Sequence, residues 1–264
     1  MMDVQGSRDE RNIPIQKVGV KNVSYPITVL HKKHKRQRTV ASVDMYADLP
    51  HHFKGTHMSR FIEVFNNHVQ DISMPAFLTM LENIRVSLDA ETSFAEVSFP
   101  YFIEKEAPVS KRRSMMRYTC RYIGRVTATE REFIVGIEAP VTTVCPCSRE
   151  ISDRGAHNQR GVVRVHLELG PFFWIEDVIE EIEASASSGL YTLLKREDEK
   201  IVTEHAYDHP VFVEDLVRNV CVRIEERWEF PWFSVAAENI ESIHDHEAFA
   251  YLERGERKAW HSTL

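Results

Sequence analysis

PVTTVCPCSREISDRGAHNQRG, Pro140 to Gly161, is the stretch around which the rest of the chain is arranged. Ahead of it, Phe133, Val135 and Ile137 alternate with other residues, and beyond it Val163, Val165, Leu167 and Leu169 do the same. A period of two marks strands that bury one face. The stretch therefore reads as a connection between two strands, which can hold it rigidly. It carries Cys145 and Cys147 on either side of Pro146, with His157 further along between Gly155 and Gly161. In an extended segment, residues two apart point the same way, and the proline stiffens the pair. Cys-x-Cys is not the common spacing of a structural zinc site, and the chain has no second cysteine pair to complete one. One thiolate as metal ligand, with the other as nucleophile or proton donor, fits better. Two buried thiols in a turn is the plainer alternative. His157 suits a metal ligand or an acid/base group, because imidazole titrates near ~6.5.

Working outward, the spacing predicts strands from Val18 to Val43, broken by the basic run HKKHKRQR, which reads as a solvated hairpin tip. Thr56 or Ser59 is placed to cap a short helix through Phe61, Val64 and Phe65. Ser73 to Leu88 is amphipathic, with Phe77, Leu78, Leu81, Ile84 and Leu88 on one face and Pro75 in its first turn. Glu96 to Ile103 alternates, as does the run through Met116, Tyr118, Cys120 and Tyr122. Past the cysteine stretch, Trp174 to Ser188 reads as a helix stopped by Gly189, and Pro210 opens a longer helix that buries Val213, Leu216, Val217, Val220 and Ile224. Phe230 to Ala237 reads as a last strand leading into ENIESIHDHEAFA, and the final basic-acidic segment as a short helix or a frayed tail. This order predicts an α+β protein made of two related modules, each an antiparallel sheet with helices on one face. The expected divisions are an arm over 1–16, modules over 17–110 and 111–250, and a tail over 251–264.

Composition narrows the function. The chain has 264 residues, 43% hydrophobic and 28% charged, with 33 Lys plus Arg against 40 Asp plus Glu and a net charge of −7. That balance argues against a nucleic-acid binder, while a local basic cluster can still hold a small anion. No run approaches the ~20 apolar residues of a membrane helix. The polar start MMDVQGSRDERN lacks a signal-peptide core, so a cytoplasmic protein is expected. Cys120 and Cys221 lie in apolar patterns and read as buried small hydrophobes. The carboxylates Glu197, Asp198, Glu199 and Glu204 form a run that is either a solvated face or the source of one metal ligand. Glu214, early in a helix beside Phe212 and Val213, is placed either to accept two hydrogen bonds from a purine or pterin edge or simply to complement the helix N-terminus. His244 and His246 offer a metal ligand from the far end of the chain.

PVTTVCPCSREIS with GAHNQRG, KREDEKIVTEHAYDHPVFVEDLVR, GTHMSRF and ENIESIHDHEA together resemble GTP cyclohydrolase I of the prokaryotic type IB, over roughly Ile15 to Ala250. One departure is Asp245, which adds a charge between His244 and His246 where the family's pattern is His-Pro-His. The resemblance implies a tunnelling fold with two modules per chain, and a homotetramer with active sites between subunits. It implies conversion of GTP and water to 7,8-dihydroneopterin triphosphate and formate, the entry to folate and deazaguanine synthesis. It also implies a divalent metal, Mn or Zn, with Fe or Mg as further options. By resemblance, Cys145, Glu199 and His244 are metal ligands, and His157 is a fourth ligand or an acid/base group. Cys147 is the catalytic thiol and Glu214 the guanine anchor, while His57, Ser59 and Arg60 reach GTP from a neighbouring subunit. The rivals are a tunnelling-fold nitrile reductase, whose Glu-Ser-Lys-Ser-Leu-Lys signature is missing here, and a non-enzymatic purine- or metal-binding protein.

Overall fold

Residues 5, 7–68, 72–256 and 258 are described by a computed structural model. The alternating runs on either side of the cysteine stretch are β5 (Arg131–Val144) and β6 (Asn158–Glu168). On β6, Val163, Val165 and Leu167 are buried while Arg164 and His166 between them are not. Leu169, expected on the same face, lies just past the strand and is exposed. The chain order is β1 (Ile15–His31), β2 (Lys35–Leu49), α1 (Met58–Asn66), α2 (Met74–Ser87), β3 (Ser93–Glu106), β4 (Arg113–Val126), β5, α3 (Pro146–Ile151), β6, α4 (Ile175–Ser185), β7 (Ser188–Gly189), α5 (Arg196–Asp208), α6 (Val213–Arg227), β8 (Trp232–Ile240) and β9 (Glu247–Gly255). Two compact units result: Met1–Pro100 with Arg121–Val135, and Tyr101–Cys120 with Gly136–Leu264. Strands β3, β4 and β5 give residues to each. No helix among the described residues is long and apolar enough to cross a membrane.

In the first unit the strands run β1-β2-β3-β4-β5, with β1–β2 and β2–β3 antiparallel. The expected basic hairpin tip is real. His31 is buried there, and its Nδ1 accepts the N–H groups of Lys33 and His34 at 3.1 and 3.2 Å, closing the turn. Helix α2 buries Phe77, Leu78, Met80, Leu81 and Ile84, as its period requires. Phe77 meets Phe133 edge-on, with ring centroids 5.4 Å apart. Gly124 permits that approach: a Cβ there would stand 2.6 Å from Phe77 Cε1. Two expectations fail in this unit. The N-cap of α1 is His57, not Thr56 or Ser59, and its side chain makes no capping bond. The arm is not loose where it is described. Gly55 and Lys54 donate to the carbonyls of Gln5 and Ser7 at 3.1 and 3.0 Å, and Asp9 donates to His52 at 3.1 Å. Such pairing uses backbone groups of two distant segments, so no periodicity announces it.

In the second unit the order is β3-β4-β5-β6-β8-β9, with β7 beside β5. Helices α4 and α6 bury the faces expected of them, Ile175, Val178, Ile179 and Ile182 on one, and Val213, Leu216, Val217, Val220 and Ile224 on the other. Helix α4 ends at Ser185, short of the expected Ser188, because the Ser187 hydroxyl accepts the Val144 N–H at 2.9 Å and Ser188–Gly189 pairs with Thr142 and Val141. Beneath it lies a polar network. Glu183 accepts the Tyr118 hydroxyl and the Lys105 ammonium, each at 2.7 Å, and Lys105 also donates to the Leu190 carbonyl at 2.8 Å. Burial, then the neighbouring Glu183, pushes the Tyr118 hydroxyl far above the ordinary phenol range. The C-terminal segment is neither helix nor frayed end as far as Gly255. It is β9, antiparallel to β8 from Trp232↔Gly255 to Ile240↔Glu247. Residues 257 and 259–264 of the expected tail lie outside the described residues.

The acidic run Glu197 to Glu204 turns out to be helix α5, and its members have different fates. Glu197, Glu199 and Glu204 are exposed, whereas Asp198 is fully buried. Asp198 accepts the N–H groups of Val109, Ser110 and Lys195 at 2.8 Å each and the Ser110 hydroxyl at 2.5 Å. Burial alone would raise this carboxyl. The Ser110 hydroxyl and the three backbone donors more than reverse that and hold it well below the usual carboxylate range. A depressed carboxyl contributes stability that is complete above its unfolded value, near ~3.9, and lost as pH falls through the folded one. Urea melts should therefore show the wild-type advantage over Asp198→Asn holding from pH 7 to about 4 and shrinking below it. An advantage that fades between pH 7 and 5 would contradict this account.

Candidate active site

The cysteine stretch departs from its expected geometry at one point. Cys145-Pro146-Cys147 is not extended: Cys145 is the N-cap of α3, Pro146 its first residue, and Cys147 lies in its first turn. Proline suits that position, since its missing N–H has no intrahelical partner there and its φ is already helical. Cys145 is half-buried and Cys147 exposed. The two thiols thus leave the chain in different settings, one against the protein and one open to solvent.

The loop is closed on itself. The Cys145 N–H bonds the His157 carbonyl at 3.1 Å, the Ser148 hydroxyl reaches the Cys145 carbonyl at 3.3 Å, and the His157 N–H donates to Ser148 Oγ at 3.1 Å. Gly155, at φ +112°, makes the turn that brings His157 back. His157 is 13% exposed at its side chain; its Nδ1 lies 3.0 Å from Gln159 Oε1 and 3.7 Å from Glu241 Oε2. The Glu241 Oε2 atom is buried and has no hydrogen-bond partner.

Neighbouring elements bring other expected residues to this end of the sheet. The Val211 N–H bonds the Val144 carbonyl at 3.0 Å, which sets the first turn of α6, with exposed Glu214, beside the end of β5. Arg149 of α3 lies 4.8 Å over the Tyr207 ring and 3.8 Å from Asp208, at the C-terminal turn of α5. Glu199 stands at the other end of α5, ~13 Å along the axis from Asp208 at ~1.5 Å per residue. His244 and His246 are exposed in the β8–β9 connection, their rings stacked with centroids 5.0 Å apart. Among the described residues no three His, Cys, Asp or Glu side chains gather to hold a metal. His57, Ser59 and Arg60 belong to the first unit. His57 precedes α1, Ser59 and Arg60 are exposed in its first turn, and the Arg60 guanidinium donates to the Ser87 carbonyl at 2.8 Å.

Two residues of this site escaped the sequence reading, Gln159 and Glu241. Both sit inside stretches already singled out, GAHNQRG and ENIESIHDHEA. Gln159 is two residues from His157 at the start of β6, so the period of two was the available signal. Glu241 comes into view only through the β6–β8 pairing, whose last pair is Arg160↔Ile240. The donor types at this end of the sheet, a thiol at Cys145, an imidazole at His157 and a carboxylate at Glu241, are those a borderline divalent metal takes.

Comparison with known proteins adds the family. Residues 1–250 match the family model described as type I GTP cyclohydrolase folE2. This chain belongs to that family. GTP cyclohydrolase FolE2 of Syntrophus aciditrophicus is 55% identical over 254 residues, 96% of this chain and 100% of that protein. FolE2 of Geobacter sulfurreducens is 52% identical over 259 residues, 98% of this chain and 100% of that protein. Among solved structures, uricase from Arthrobacter globiformis matches with a TM-score of 0.52 at 8% identity, covering 93% of this chain and 97% of that one. At that identity the likeness concerns the fold alone, an antiparallel sheet with a few helices of the tunnelling type. The folE2 match spans residues 1–250 and so includes every candidate of the site, from His57 to His244.

Proposed function

We propose that this chain hydrolyses GTP to 7,8-dihydroneopterin triphosphate and formate at the end of β5, on the loop closed by the Cys145–His157 backbone bond. That bond carries the reading, because it sets a protected thiol, an open thiol and a half-buried imidazole on one short turn. Incubation with GTP and Mn2+ or Zn2+ under reducing conditions should release formate and a fluorescent pterin; no product with metal replete would overturn the reading. NADPH oxidation with a nitrile substrate would favour the reductase reading instead.

The residues divide the work. Cys145, His157, Glu199 and His244 hold the metal, and Glu241 lies beside His157. Zn or Mn fits this mix of S, N and O donors best, with Fe or Mg as further options. A bound divalent cation supplies the Lewis acidity that makes water nucleophilic near neutral pH. The chain's own groups do the rest. Cys147, exposed in the first turn of α3, moves protons at the purine N7 and on the opening imidazole ring, a role His157 would share only in place of ligating the metal. Glu214 accepts the N1–H and 2-amino hydrogens of guanine, which orients C8 toward the loop. His57, Ser59 and Arg60 approach the nucleotide from a neighbouring copy. A Glu214→Gln variant should lose roughly 100-fold in kcat/KM, about 3 kcal/mol, mostly through KM. Steady-state kinetics check this, and an unchanged KM would remove Glu214 from the guanine subsite.

Element order supports a finer reading. With α3, β7 and α5 set aside, β5-β6-α4-α6-β8-β9 repeats the series β1-β2-α1-α2-β3-β4, and in each the strands are neighbours in the sheet in chain order. We read them as two tandem tunnelling-fold modules, with the repeat turning over near Thr127–Glu130 rather than at 110/111. Four copies closing their sheets together would bring Glu199, His244 and the first-module residues to sites shared between subunits, which accounts for a metal set that one chain does not gather. Four unpaired cysteines suit a reducing, cytoplasmic setting.

A further inference from the structure

The Gln159 carboxamide faces one of the two ring nitrogens of His157, Nδ1. Gln159 is 7% exposed at the first turn of β6, and its Oε1 lies 3.0 Å from His157 Nδ1. A carbonyl oxygen can only accept, so Nδ1 carries the proton in this pair. The competing acceptor, Glu241 Oε2, is 3.7 Å away, beyond hydrogen-bond reach. With Nδ1 protonated, the lone pair of the neutral ring sits on Nε2. A ring that must present Nε2 as a ligand or base needs such an acceptor behind it, because the hydrogen bond at one nitrogen decides what the other can do. The backbone supports this arrangement independently: the His157 N–H is held by Ser148 Oγ at 3.1 Å and its carbonyl by the Cys145 N–H at 3.1 Å, leaving the ring's rotation as the freedom still to be fixed.

We propose that Gln159 is a positioning residue of this site: it fixes the Nδ1–H tautomer and the ring angle of His157 so that Nε2 is presented to the divalent metal. The role rests on His157 being a ligand, so the experiment tests both together. Apo-protein variants are titrated with Zn2+ or Co2+ against a competing chelator, the Co2+ absorption reporting ligation. Thermal melting of the metal-free proteins reports packing. Gln159→Leu removes the acceptor, Gln159→Asn withdraws it by one methylene while staying polar, and Gln159→Glu keeps an acceptor at the same reach. Expected is a loss of metal affinity of roughly 10–100-fold in Gln159→Leu and Gln159→Asn, with affinity kept in Gln159→Glu. His157→Ala should lose at least as much. If His157→Ala loses affinity and the Leu and Asn variants do not, the proposal falls and the ligand reading stands. If His157→Ala keeps its affinity, the ligand reading falls and takes the proposal with it. Equal loss in Glu, Leu and Asn variants, tracking lower metal-free melting, would make Gln159 a packing residue and overturn the proposal as well. Should Gln159→Leu fail to fold, the Asn–Glu comparison decides alone.

Discussion

Cys147→Ala should lower turnover by roughly 10²–10⁴-fold while leaving metal and GTP binding within a few-fold of wild type, the size expected when a proton-transfer group is removed. The argument rests on the unequal settings of the two thiols. Cys147 projects from the first turn of α3 into solvent, where a substrate can meet it, and no bond of the loop depends on its side chain. Cys145 is the half-buried N-cap whose N–H and carbonyl both take part in closing the loop. Its backbone bonds survive substitution, so Cys145→Ala should fold and lose metal, with activity falling in proportion to metal occupancy. Metal content of the purified variants, GTP binding by equilibrium dialysis and single-turnover pterin formation separate the cases. Equal metal loss in both variants would end this division of labour.

Lys105→Met should destabilise the second unit by about 3–5 kcal/mol, the cost of leaving a buried carboxylate without its cation. Lys105 and Glu183 are 14% and 17% exposed at their side chains and meet at 2.7 Å. The ammonium also bonds the Leu190 carbonyl at 2.8 Å and lies 4.3 Å above the Tyr191 ring. Gly189 gives the pair its room, since a Cβ there would come within 2.8 Å of Glu183 Oε2 and 3.0 Å of Lys105 Nζ. With Lys105 gone, Glu183 keeps only the Tyr118 hydroxyl. The double variant Lys105→Met/Glu183→Leu should recover much of the loss, because two apolar groups of similar size avoid the unpaired charge. Urea unfolding of the single and double variants checks this; a double variant as damaged as the sum of the singles would show that the ion pair is not the source of the effect.

The sequence disclosed what period and chemistry encode. Alternation located β3 to β6, the three- and four-residue spacing located α2, α4 and α6, and the cysteine–histidine loop was placed between the right strands. What escaped it was non-local. Asp198 looked like one more acid in a solvated run, and only the fold brings the Val109–Ser110 backbone onto it. Helix α5 was hidden because its exposed face is nearly all charge and only Asp198 and Ala206 are buried. The bend at Cys145-Pro146-Cys147 was misjudged because a proline between two cysteines suits a helix start as well as an extended chain. Glu241 could not be connected to His157 before β6 and β8 were known to pair.

Three shared strands have a consequence for synthesis. Met1–Pro100 leaves the ribosome first, yet the sheet of its unit is finished by Arg121–Val135. In between come Tyr101–Cys120, which belong to the other unit. Neither unit can therefore close as its own N-to-C stretch emerges: the first waits for Val135, and the second takes up a segment made long before its helices. A nascent chain arrested at Pro100 should remain protease-sensitive, and the first resistant product should appear only once Val135 has cleared the exit tunnel.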